Sequence, residues 1–203
     1  MPIPTSISQP KQLLVEGQTA KYFFEAMQDH LGLEDIQLQN FGGIDELRGY
    51  LKALRNTPYF EEEVISLGII RDAEDNPAGA FQSVCNALHQ ANLSIPSQPE
   101  IPAGNDPQIN VLILPGAARA GMLETICLES LRNLPVIACI DQYFECIAKS
   151  QIPTPNNMDK ARVQAFLAAQ ERPGLLLGQA AKCGYWPWDS PAFHHVRQFL
   201  QAL

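Results

Sequence analysis

The 203-residue chain is 46% hydrophobic and carries a formal net charge of −8, so it has enough apolar content for a packed core, and disorder throughout is excluded. The negative balance opposes tight sequence-independent binding to DNA, which depends on neutralising phosphates. No apolar run reaches the ~18 to 20 residues of a membrane span, and the start Met1-Pro2-Ile3-Pro4 lacks the basic and apolar stretches of a signal peptide; the expectation is a cytoplasmic protein with no membrane partner.

Lys11 to Val15 ends in Leu13-Leu14-Val15, the mark of a short buried strand, and Glu16-Gly17 closes it. From about Gln18 to Leu31 the apolar positions Tyr22, Phe23, Ala26 and Met27 fall at helical spacing, with Gly32 placed as a C-terminal cap. Ile36 to Phe41 alternates as a strand does, and Gly42-Gly43 then breaks the chain. Ile44 to Asn56 reads as a helix whose face is Leu47, Tyr50, Leu51 and Leu54.

Val64 to Ile70 is the clearest buried strand. Asn76-Pro77 opens a helix with Phe81, Val84, Cys85 and Leu88 on one side. The proline-rich stretch from Ser94 to Pro107 is a loop. Ile109 to Leu114 is the fourth strand. Strand and helix therefore alternate, which predicts an α/β fold with a parallel sheet and helices on its faces. Beyond it, Met122 to Leu131, Ile137 to Ser150, Asp159 to Gln170 and Phe193 to Leu203 read as helices. The expected organisation is a core over 1–114 with a helical extension, 115–203, packed on it.

The five cysteines form no CxxC pair and are odd in number, which argues against a disulfide framework or a thiolate zinc site. His194 and His195 are adjacent and so lack the i, i+4 spacing of a helical metal pair. Gly116 to Gly121 follows a strand but lacks the Lys-Ser/Thr of a phosphate-binding loop. Tyr185, Trp186 and Trp188 sit among prolines, as packed aromatics do.

In a parallel sheet the residues just past the carboxyl ends of the strands meet along one edge, where ligands bind. Glu16 follows the first strand, and Asp72 and Glu74 follow the third. If Asp72 and Glu74 are still extended, their side chains share a face. Carboxylates gathered in one place repel one another, and a divalent cation with a preference for hard oxygen ligands removes the repulsion.

Taken in order, Leu13-Leu14-Val15-Glu16-Gly17, the helix after it, Gly42-Gly43 and Leu67-Gly68-Ile69-Ile70-Arg71-Asp72-Ala73-Glu74 resemble the Toprim domain, a metal-binding fold shared by topoisomerases, primases, small ribonucleases and OLD-type nucleases. The likeness covers residues 11 to about 114. The whole chain is most similar to uncharacterised prokaryotic Toprim-like proteins with a comparable Gly-Tyr-Trp segment near the end.

The resemblance implies a Mg²⁺- or Mn²⁺-dependent, nuclease-like phosphoryl-transfer enzyme acting on nucleic acid or a nucleotide, alone or with a protein partner. It implies Glu16 as general acid/base and metal-linked carboxylate, Asp72 and Glu74 as metal ligands, and Gly17 and Gly43 as points of close approach to a phosphate. Gly121-Met122-Leu123-Glu124 resembles the OLD-type segment that adds a further metal carboxylate, here Glu124, and Lys160 stands where those nucleases place a catalytic lysine. Two positions depart from the pattern. The second acid of the pair is the longer Glu74, and Ala20 occupies the place of an acid. Both departures suit the other reading of the likeness, a non-catalytic binding or regulatory subunit.

Overall fold

The computed structural model describes residues 2–203. Four strands, β1 (Lys11–Val15), β2 (Ile36–Asn40), β3 (Ser66–Asp72) and β4 (Gln108–Leu114), form one sheet in the order β2-β1-β3-β4. Every pairing is parallel. The sheet is flanked by α1 (Gly17–Leu31), α2 (Ile44–Arg55), α3 (Phe60–Glu63), α4 (Pro77–Gln90), α5 (Leu123–Leu131), α6 (Pro135–Lys149), α7 (Met158–Ala168), α8 (Leu177–Lys182) and α9 (His194–Gln201). The α/β class and the helical C-terminal extension expected from the sequence are both present.

The period of two along each strand sorts the core into two layers. Leu14, Leu67, Ile69, Val111 and Ile113 face α2, α3 and α4. Leu13, Val15, Ile70, Leu112 and Leu114 face α1 and the C-terminal helices, among them Ile126, Phe166, Trp186 and Phe199. The extension therefore shares a core layer with the sheet. Trp186 is buried and donates its indole N–H to the Leu177 carbonyl at 3.2 Å. Trp188 packs edge-on against Phe23, with ring centroids 5.1 Å apart.

The strands sit slightly later than the sequence suggests at β3, which runs on to Asp72. Helices α3 and α8 carry no signal in the apolar pattern because they are short, at 4 and 6 residues. Helix α8 is positioned by a close backbone approach. A Cβ on Gly178 would lie 2.3 Å from the Thr19 carbonyl oxygen and 2.7 Å from Tyr22 Cβ. Only the hydrogen of glycine fits there, so α8 lies directly on α1.

The outer edge of β4 is closed by the chain itself. Ala103 and Ile109 exchange N–H···O bonds in both directions, and the Glu100 N–H reaches the Val111 carbonyl at 2.8 Å. The Gly116 N–H takes the Ile113 carbonyl, also at 2.8 Å. The proline-rich loop thus returns to the sheet and covers its side.

Gly178→Ala forces apart the α1–α8 contact and is expected to destabilise the protein by about 1–3 kcal/mol. Urea denaturation followed by circular dichroism measures this as a lowered midpoint at unchanged slope.

Candidate functional site

The order β2-β1-β3-β4 reverses direction between β1 and β3. The first crossover moves from β1 to β2 and the next returns past β1 to β3. The carboxyl ends of those two strands bound a crevice that no crossover fills, and ligands bind at such switch points. Val15 pairs with Ile70, so Glu16 follows one strand and Arg71-Asp72 end the other at the same level.

Side-chain alternation then decides who meets whom. Arg71 and Glu16 both turn toward the α2–α4 side, where Arg71 Nε stands 3.9 Å from Glu16 Oε2. The guanidinium is fixed by the Ala80 carbonyl at 3.0 Å and by the Ser83 hydroxyl. Asp72 turns to the other side, and its Oδ1 accepts the Leu123 N–H, the first of α5, at 2.9 Å. Glu124 follows in the first turn of α5. Glu16, Asp72, Glu124, Arg71 and Lys160 line one cavity of about 230 Å³, together with Ala20, Phe24 and Leu114.

Four helices begin around this cavity. Glu16 immediately precedes α1, and the backbone N–H of Ile44, the first residue of α2, favours its charged form. Helix α5 presents its N-terminus to Asp72, and α7 carries Lys160 in its first turn. Each N-terminus bears roughly half a positive charge. The Thr125 hydroxyl ties α5 to α7 by donating to Asp159 Oδ2 at 2.5 Å, while accepting the Met122 N–H at 3.0 Å.

Burial still prevails over these positive neighbours. Desolvation, assisted by Glu124 and Glu16, pushes the Asp72 carboxyl up to about 7 against the Leu123 N–H. Desolvation also raises Glu16, opposed first by Arg71 and then by the Ile44 N–H, with Glu74 adding to the rise. Glu124 rises for the same reason, and Lys160 opposes it. Three carboxyl groups with raised proton affinity in one crevice mean that negative charge there is under-compensated.

The strand ends at Asp72, and Glu74 takes the left-handed conformation with φ 50°. Its backbone exchanges two hydrogen bonds with Gly121, and its side chain is exposed. Asp72 and Glu74 therefore do not share an extended segment. Glu74 instead lines an adjoining groove of about 550 Å³, with Asp75, Asp159 and Lys160. The chain turns here because Asn76 must cap α4, where its Oδ1 accepts the Gly79 N–H at 2.9 Å.

Gly17 adopts φ 81° with open space beside its Cα, and its N–H donates to Asn40 Oδ1 at 2.9 Å. The same oxygen accepts the Gly42 N–H at 2.8 Å, so Asn40 ties the loops after β1 and β2 together. The Gly43 N–H is held by Glu46 at 3.0 Å. Sequence reasoning missed Arg71 and Asn40. The strand alternation that places Arg71 beside Glu16 was available to it; nothing local marks Asn40. His195 lies away from the cavity and pairs with Glu100 at 3.1 Å.

Hard carboxylate oxygens from Glu16, Asp72 and Glu124 are the donor chemistry that Mg²⁺ or Mn²⁺ takes, and their raised proton affinity is what a cation would relieve. Among the described residues no three His, Cys, Asp or Glu side chains form a group that could hold a metal ion. Among the described residues no helix is long and apolar enough to cross a membrane.

Fold and site together define a parallel α/β protein with a carboxylate-lined cavity at its switch point. The chain belongs to the family described as Protein of unknown function (DUF3226), whose model matches residues 10–203. No curated protein and no solved structure matches it.

Between about pH 4 and pH 7 folded Asp72 keeps a proton that the unfolded chain has lost. Its contribution to stability therefore falls as pH rises through that window. In the presence of a chelator, Asp72→Asn is expected to leave stability near that of wild type at pH 4 and to exceed it by about 2–4 kcal/mol at pH 8. Thermal unfolding of both proteins across that range tests this; equal differences at the two pH values contradict it.

Proposed function

We propose that this protein is a Mg²⁺- or Mn²⁺-dependent phosphoryl-transfer enzyme, nuclease-like in chemistry, acting on a nucleic acid or nucleotide. The observation that carries the reading is the meeting of Glu16, Asp72, Glu124 and Lys160 in one cavity between the ends of β1 and β3. The likeness to the Toprim domain supports it, because Glu16 and Asp72 are the residues that carry that likeness.

Asp72 and Glu124, with Glu16 turned inward, would hold the ion. A bound Mg²⁺ or Mn²⁺ supplies Lewis-acid activation of water and offsets phosphate charge. Glu16 has the environment of a proton carrier: burial raises its proton affinity, while Arg71 and the Ile44 N–H favour the charged form. Lys160 lines the cavity, and its ammonium would offset charge that builds on a phosphoryl group. The bare Cα of Gly17 leaves room for a phosphate beside Glu16.

A second reading, a non-catalytic binding or regulatory subunit, is favoured by one observation. Glu74 faces the neighbouring groove and Ala20 forms part of the cavity wall, so both positions that depart from the Toprim pattern leave the cavity with fewer acids.

With Mn²⁺ or Mg²⁺ and mixed single-stranded DNA, RNA and nucleotide substrates, hydrolysis is expected, and Glu16→Gln or Asp72→Asn should lower it at least ~10²-fold. Lys160→Ala should lower kcat more than it raises KM. Calorimetric Mn²⁺ binding that is lost in Asp72→Asn, without turnover of any substrate, favours the binding subunit. Absence of both binding and turnover, with the fold intact, defeats the metal-dependent reading.

A further inference from the structure

The cavity does not end at Lys160. Three chain segments pass from its wall directly into the wall of the adjoining groove: Asp72 leads to Glu74-Asp75, Leu123 is preceded by Met122, and Lys160 lines both. The two spaces differ in size and chemistry. The inner one, about 230 Å³, sets Arg71 and Lys160 against Glu16, Asp72 and Glu124. The outer one, about 550 Å³, is more than twice as large and carries Glu74, Asp75 and Asp159 against the one cation they share with the cavity.

Resting on the phosphoryl-transfer reading, we infer that the groove holds the nucleoside part of a mononucleotide whose phosphate sits in the cavity. The substrate class is then a small nucleotide rather than a long strand. A continuing strand would place its next phosphate among Glu74, Asp75 and Asp159, where neither Arg71 nor the ion of the phosphoryl-transfer reading offsets the repulsion. The net charge of −8 adds to that repulsion at longer range. A nucleoside instead brings hydroxyl and amino donors, which carboxylates accept. Met122 and Met158 offer polarisable surface for an aromatic base. Asn156 is exposed on the groove wall, whereas Asn157 is occupied in capping α7, accepting the Lys160 N–H at 2.9 Å. The size ratio follows the same division, since a nucleoside is several times bulkier than a phosphate.

The test compares inorganic phosphate, AMP, CMP and a single-stranded oligonucleotide of about 12 residues by calorimetry, with Mn²⁺ present. AMP or CMP is expected to bind at least ~10-fold more tightly than inorganic phosphate, a difference of about 1.4 kcal/mol. Asn156→Trp, which fills the groove from an exposed position, should erase that advantage and leave phosphate binding unchanged. If phosphate binds and the mononucleotides bind no better, the groove assignment is wrong while the phosphoryl-transfer reading stands. Preference for the oligonucleotide over AMP and CMP, or an advantage that survives Asn156→Trp, also overturns the assignment. Failure of all four probes to bind defeats the assignment and the reading beneath it together.

Discussion

The local arrangement around the crevice is governed by the desolvation of carboxylates that the sheet forces together. Parallel pairing of β1 with β3 brings Glu16 and Asp72 to one level at the strand ends, where both line one cavity. The surrounding structure responds with positive ends: the guanidinium of Arg71, the Ile44 N–H beside Glu16 and the Leu123 N–H on Asp72. These contacts moderate the cost of burial without cancelling it, as the raised proton affinity of all three cavity carboxylates shows. A protein built only for stability would place amides here. The acids at these positions are the feature on which the proposed metal-dependent reading rests.

The C-terminal extension has to be understood against that crevice. Its helices bury the sheet face formed by Leu13, Val15, Ile70 and Leu114, which α1 alone could not cover. The same packing delivers the starts of α5 and α7 to the mouth of the cavity. The Thr125–Asp159 bond fixes those two starts relative to each other, so the backbone positions of Glu124 and Lys160 are set by the fold's second half. Covering the hydrophobic face and completing the polar site are one act of packing.

Much of this was legible in the sequence. The apolar runs that became β3 and β4 are too uniformly hydrophobic for anything but doubly covered strands, and from them the parallel sheet follows. Once the sheet is parallel, Glu16 and Asp72 must be neighbours. Residues whose position depends on tertiary contact were less legible. Helix α8 exists because Gly178 can lie against Thr19, a fact about two distant segments that no local periodicity carries. Asn40 looks like any strand-end polar residue until its side chain is seen holding Gly17 and Gly42. Glu74 was expected in extended backbone beside Asp72. The need to cap α4 with Asn76 turned the chain one residue too soon for that.

The closed side of β4 bears on how this molecule can associate. An open parallel edge is a template on which any extended segment can lay itself down by main-chain bonding, whatever its side chains. Here the loop through Glu100 and Ala103 and the turn at Gly116 already occupy the carbonyls of Ile109, Val111 and Ile113. Lengthening the sheet on that side would require the protein to unzip part of itself first. Recognition along that flank is therefore confined to side-chain chemistry, where sequence can discriminate, and is removed from the indiscriminate adhesion that bare strands invite.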